Sequence, residues 1–328
     1  MAGVRPRVVV SQPIPRTALE RLRALAEVDL GEDDARILPK AQLAERLREA
    51  DGLFHLLHDV VDAEVLQAAP RLRFIASMSI IPASIDVAAA TARRIPVTTV
   101  PPIVGEATAD LHWALLLAAA RRVVEADAAL RRGTFPGAQS MHFCGLGVHG
   151  KTLGILGLGR IGRAVARRAR GFGMTILYAQ RSSLPEAEER AFGVVRATLQ
   201  ELLQRSDFIS VNCAFTPATH HLIGARELSL LKPSAVIVNT SRGPIVDEAA
   251  LAEALAAHRI AGAGLDVFEG EPTVHPGLLS LHNVVLTPHL GSAVNELREQ
   301  MAHVVVDNVQ ALLAGERPPN LYNPEIHE

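Results

Sequence analysis

The 328 residues carry 33 Lys and Arg against 35 Asp and Glu, so no basic surplus points to nucleic acid or to an anionic membrane. Apolar residues make up 48% of a chain too long for one ordinary core, which predicts two globular domains. Two cysteines, Cys144 and Cys213, supply neither a disulfide framework nor a metal-ligand spacing, and MAGVRPRVVV lacks the long apolar run of a signal peptide; a reduced cytoplasmic setting without a metal is the plain expectation.

In chain order, short β-branched runs alternate with Ala/Leu/Arg-rich stretches of helical spacing, the pattern of parallel sheets covered by helices. The first series predicts strands at 7–11, 52–57, 73–78 and 96–100, with amphipathic helices at 17–26 and 40–50 between them. One long helix is expected over 106–132, closed by Gly133. Its most apolar part, 113–120, is stopped by Arg121 and Arg122 at roughly half of the ~20 residues a membrane span needs. A loop, 133–150, follows. The second series predicts strands at 152–156, 175–180, 208–212, 235–241, 261–268 and 283–288. A last helix is expected from an N-cap at Ser292 to Ala314, ended by Gly315 and Pro318. Two doubly wound parallel-sheet α/β domains follow, with ligands expected at the cleft between them.

Gly157-Leu158-Gly159-Arg160-Ile161-Gly162 stands after a predicted strand and opens a predicted helix. In that context the glycines permit a tight turn that brings a helix N-terminus to a dinucleotide pyrophosphate. The next strand decides which dinucleotide. An acid at its end bonds the ribose diol and repels a 2′-phosphate; this chain has Gln180, Arg181, Ser182 and Ser183 there, one cation and two hydroxyls suited to a phosphate. NADP(H) is therefore expected, with NAD(H) as the alternative.

Ligands in open α/β sheets lie beyond the carboxyl ends of strands. Those ends carry Asn212 and Cys213, then Thr240, Ser241 and Arg242, then Asp266, then His289 with Gly291. Arg242 offers a planar fork for a carboxylate and its neighbouring carbonyl. The His289 imidazole suits a proton that moves together with a hydride. It needs a carboxylate partner, and local sequence leaves Glu269 and Glu271 undecided. Asp266 can add to the same field or contact the nicotinamide. His55 and His142 read as surface or interface histidines and the pair His220-His221 as solvated.

The stretches GKTLGILGLGRIG, VNTSRGPIVDEAAL, AGAGLDVFEGEP and LTPHLGSA resemble the D-isomer-specific 2-hydroxyacid dehydrogenase family, and within it the glyoxylate/hydroxypyruvate reductases. The likeness runs over nearly the whole chain. It implies Arg242, Glu271 and His289 as the catalytic set. It also implies a flavodoxin-like substrate domain from 1–100 and 291–328, a Rossmann dinucleotide-binding domain at 101–290, and a homodimer through 106–150. In the substrate loop the chain departs from its relatives. Where they show a G-V-G-Y-D-x-I-D pattern it has Ser79-Ile80-Ile81-Pro82-Ala83-Ser84-Ile85-Asp86. Ser79, Ile80 and Ile81 keep backbone donors for a substrate carboxylate, but glycine's freedom is lost and bulk is added. Two rival readings are a dinucleotide-sensing binding protein of the same fold and a member acting on a bulkier 2-oxo acid. Phosphite oxidation is disfavoured, because Ile80 stands where such enzymes place a lysine.

Overall fold

The computed structural model describes residues 5–33 and 36–327. The chain divides into two compact units, residues 1–103 with 294–328, and residues 104–293.

In the first unit, strands β1 (Arg7–Val10), β2 (Glu27–Leu30), β3 (Gly52–His55), β4 (Phe74–Ser77) and β5 (Val97–Thr98) alternate with helices α1 (Arg16–Leu25), α2 (Lys40–Leu47), α3 (Ala63–Ala68) and α4 (Val87–Ala92). All strands pair in parallel in the order β2-β1-β3-β4-β5, the flavodoxin-like arrangement. Val8, Val9 and Val10 are fully buried, as a strand covered on both faces requires. Strand β2 was not expected. Its Asp29 joins Arg7 and Arg46 in ion pairs that burial and polarity alone do not announce.

The carboxyl-terminal segment belongs to this unit. Its helix, Asn295–Ala314, has the extended Val294 as its N-cap, two residues beyond the expected Ser292. Thr17 donates to Glu299 at 2.7 Å and Arg21 pairs with Asp307 at 2.7 Å. Asn323 then fastens the tail to edge strand β5. It accepts from the Val97 N–H at 2.8 Å and donates to Thr91 Oγ1 and the Ile95 carbonyl.

His55, expected at the surface, is fully buried at the end of β3. Its Nε2 lies 2.9 Å from the Asp59 carbonyl, which can only accept, so Nε2 carries the proton and Nδ1 accepts from Ser77 Oγ at 2.8 Å. Ser79 Oγ adds a bond of 2.6 Å to Ser77, tying the first residue of the 79–86 loop to this chain of hydroxyls.

The second unit opens with α5 (Gly105–Ala120) and α6 (Val123–Arg131). The single helix expected over 106–132 is thus broken at Arg122, whose φ of 54° is left-handed and whose guanidinium bonds Glu125 twice at 2.8 Å. After them come β6 (Thr152–Leu156), α7 (Arg160–Gly171), β7 (Thr175–Ala179), α8 (Glu186–Phe192), β8 (Val194–Arg196), α9 (Leu199–Arg205), β9 (Phe208–Val211), α10 (Ala225–Leu228), β10 (Val236–Asn239), α11 (Glu248–Ala256), β11 (Gly262–Leu265), α12 (Pro276–Leu279) and β12 (Val284–Leu286). The parallel order is β12-β11-β10-β9-β6-β7-β8, with the reversal of direction between β6 and β9. Edge strand β8 was not expected. Trp113 of α5 stacks on Phe172 at 4.6 Å and donates to the Val165 carbonyl, locking α5 across α7.

Both His55 and His112 are buried in the neutral form, burial pushing their pKa values down to about 4 and about 3. The unfolded chain binds these protons near pH 6.5, so stability is full above that pH and falls as pH drops toward 4. For His55 the full loss is roughly 3 kcal/mol. Thermal unfolding between pH 7 and pH 4.5 should show a steeper fall for the wild type than for His55→Gln; parallel curves would contradict it.

Candidate active site

The β6 strand ends in Gly157, at a φ of +88°. A Cβ there would stand 2.7 Å from both N and Cα of Cys213 at the end of β9, so only glycine lets the two switch-point strands come this close. Beside Gly159 the space is open, and the first turn of the twelve-residue α7 points its unpaired N–H groups toward it. A groove of about 1100 Å³ runs from this turn, lined by Gly157, Gly159, Gln180, Arg181, Ser182, Arg196, Asn212 and Cys213 among others. Its volume, the close backbone approach at Gly157 and the open space beside Gly159 fit a dinucleotide.

Several expected contacts play other parts in the turn. Leu158 is 2% exposed, its side chain in the core, and its N–H donates to Gln180 Oε1 at 3.0 Å. Gln180 therefore braces the glycine turn and donates onward to the Ser182 carbonyl. Ile161 packs against the α7 core, Arg160 and Ser183 are exposed, and Ser183 stands outside the groove lining. Arg196, at the end of the unexpected β8, brings a second cation into the groove beside Arg181. Burial raises the pKa of the Cys213 thiol, which keeps it protonated and unsuited to nucleophilic work.

Arg242 follows β10 in an extended conformation. Asn239 fixes it, accepting from the Ser241 N–H at 3.0 Å and donating to the Arg242 carbonyl at 2.9 Å, and Ser241 Oγ donates to the Cys213 carbonyl. His289 stands just past β12 with a φ of 55°, a left-handed conformation uncommon outside glycine. Asp266 holds that turn. One carboxylate oxygen accepts from Thr287 Oγ1 at 2.6 Å and the Leu290 N–H at 2.7 Å, the other from the Gly291 N–H at 2.9 Å. Asp266 is 1% exposed, and burial raises its pKa.

Of the two glutamates that local sequence left undecided, Glu271 meets the imidazole. Its Oε2 lies 2.7 Å from His289 Nδ1, while Oε1 accepts from the Phe268 N–H. Glu269 lies 2.9 Å from His221 instead, so His221 is not simply solvated. With Nδ1–H donating to the Glu271 carboxylate, Nε2 is the nitrogen of the ring that can exchange a proton with a substrate.

Sequence reasoning did not single out His112, buried on α5. Asn212 Nδ2 donates to Ser210 Oγ at 2.6 Å; Ser210 lies 2.9 Å from His112 Nε2, and His112 Nδ1 lies 3.2 Å from Thr240 Oγ1. The arrangement in which each group donates to the next puts the neutral imidazole's proton on Nδ1 and turns the Thr240 hydroxyl away from the row. One turn earlier on α5, Thr108 donates to the Gly291 carbonyl at 3.1 Å. This helix face thus braces three strand ends that carry expected cofactor contacts.

A family model described as D-isomer specific 2-hydroxyacid dehydrogenase, NAD binding domain, matches residues 113–291. A glyoxylate reductase of Thermococcus litoralis is 47% identical over 327 residues, 98% of each chain. The chain belongs to the D-isomer-specific 2-hydroxyacid dehydrogenase family. A solved structure from Thermus thermophilus is similar at 43% identity with a TM-score of 0.88, covering 96% of this chain and 99% of that one. An NADPH-dependent glyoxylate/hydroxypyruvate reductase from Sinorhizobium meliloti, solved with NADP and malonate, is 35% identical with a TM-score of 0.76 and 98% coverage of both chains. As a member of this family the chain uses a nicotinamide dinucleotide as its cofactor.

Gly243, directly after Arg242, lies against the backbone that leads to Glu271. A Cβ there would fall 1.9 Å from the Phe268 carbonyl carbon. Gly243→Ala should therefore cost at least about 1–3 kcal/mol, since backbone cannot yield as a side-chain tip does. An unshifted thermal midpoint would contradict this close approach.

Proposed function

We propose that the protein is an NADP(H)-dependent 2-oxo acid reductase of the glyoxylate/hydroxypyruvate type, with dehydrogenation of a D-2-hydroxy acid as its reverse reaction. The observation that carries this reading is the 2.7 Å bond between Glu271 and His289 at the sheet edge that also bears Arg242 and the glycine turn. The nicotinamide, when bound, supplies the hydride that reaches C2. The Arg242 guanidinium pairs with the carboxylate and draws charge onto the carbonyl oxygen. His289 gives its Nε2 proton to the new alkoxide, and Glu271 stabilises the imidazolium before that transfer. In the oxidative direction His289 takes the same proton back.

Residues 101–290 are assigned the dinucleotide, and residues 1–100 with 291–328 the substrate. In support of the second, neither the Ile80 nor the Ile81 N–H has an acceptor among the described residues, leaving two adjacent donors for a carboxylate next to Ser79. The alternative of a 2-oxo acid with a larger side chain rests on Ile81, which stands in the place of a glycine and, 52% exposed, offers apolar surface for such a chain to pack on. For the cofactor, no acid ends β7, while Arg181, Ser182 and Arg196 line the groove. The Sinorhizobium relative, solved with NADP, agrees with that preference. A homodimer through 106–150 is also proposed, on the exposed Val123, Val124, Leu130, Phe135 and Met141.

His289→Gln should lower kcat by about 10²–10⁴-fold on glyoxylate, hydroxypyruvate and larger 2-oxo acids, with dinucleotide affinity retained. Turnover left intact would sink the proton-transfer role, and wild-type inactivity on the whole panel would favour a dinucleotide sensor. Fluorescence titration should give a lower Kd for NADPH than for NADH, with Arg181→Ala narrowing the gap; the reverse order would make NAD(H) the cofactor.

A further inference from the structure

The segment that lines the dinucleotide groove at Thr216 and Thr219 runs on into two adjacent histidines that the proposed reaction does not use. We propose that His220, His221 and Glu269 form an accessory site for a borderline divalent transition ion, Zn²⁺ being the reference. Their three candidate ligand atoms all lie within 4.8 Å of one another. His221 Nε2 and Glu269 Oε2 are 2.9 Å apart, a hydrogen bond that need open by only about 0.4 Å to match two ligands bound at about 2.0–2.1 Å to one tetrahedral ion. Two imidazoles and a carboxylate suit such an ion better than Ca²⁺ or Mg²⁺, which take oxygen.

Two of the three groups are held in place. His221 sits at a φ of 48°, with its N–H bonded to the Pro244 carbonyl at 2.8 Å. Glu269 uses Oε1 to accept from the Glu248 N–H, which leaves Oε2 turned to the histidine. His220 is exposed, with its ring 4.0 Å from that of His221 in a stacked arrangement and Phe215 on a neighbouring side. A rotation of this one side chain completes a three-ligand set whose remaining positions are left to water. An ion there ties the segment after Arg242, through His221, to the segment before Glu271.

The test is calorimetric titration of the full chain with ZnCl₂ in a Cys144→Ser background, which removes the exposed thiol. One saturable equivalent is expected, weakened at least about tenfold by His220→Ala, as even an outer-sphere partner's loss does. Co²⁺ in place of Zn²⁺ should show d–d absorption that the variant lacks. His220 lies at the surface, so folding and basal turnover stay unchanged. No saturable binding, or an affinity that His220→Ala leaves as it was, would overturn the site.

Discussion

Everything at the candidate site depends on parallel pairing. Each strand of the seven-stranded sheet re-enters in the same direction after a helix, so the carboxyl ends of β6, β7, β9, β10, β11 and β12 open on a single edge. Chemistry-bearing residues more than a hundred positions apart thereby become neighbours without any long-range pairing of their own. The reversal of order between β6 and β9 parts the covering helices there, and the glycine turn fills the gap with backbone.

Asp266 converts that general layout into a particular one. A buried carboxylate is costly unless its oxygens are satisfied, and three donors from one turn satisfy it. The same bonds hold His289 in a left-handed backbone conformation that a histidine tolerates at a cost of about 1–3 kcal/mol. The strain and the buried charge are thus compensated by one another's geometry. Removing the acid would release the histidine as well as the charge.

The sheet and the glycine turn were legible because their signals are local: apolar runs of strand length, and glycines placed between strand and helix. The edge strands were not, since Glu27–Leu30 and Val194–Arg196 are mostly half-buried or exposed and carry charged residues, so no apolar run marks them. With β8 went Arg196, whose place in the groove depends on that strand. The helix break at Arg122 reflects a single residue's backbone conformation. Local sequence left Glu269 and Glu271 equal, and the family resemblance pointed to Glu271, the one that meets His289 in space. His112 was hidden for a plainer reason. Its partners Ser210 and Thr240 are 98 and 128 residues away, and a histidine amid Leu and Trp announces no polar contact.

That buried histidine has a further consequence. The row from Asn212 through Ser210 and His112 to Thr240 has two self-consistent arrangements of its hydrogens, related by turning over the Asn212 amide and moving the imidazole proton from Nδ1 to Nε2. With the amide in the first of these orientations, Asn212 Oδ1 is buried without a partner among the described residues. A group that offers this oxygen a hydrogen selects that arrangement and so sets which way the Thr240 hydroxyl points, two strands joined by the order of their protons with no atom of the backbone displaced.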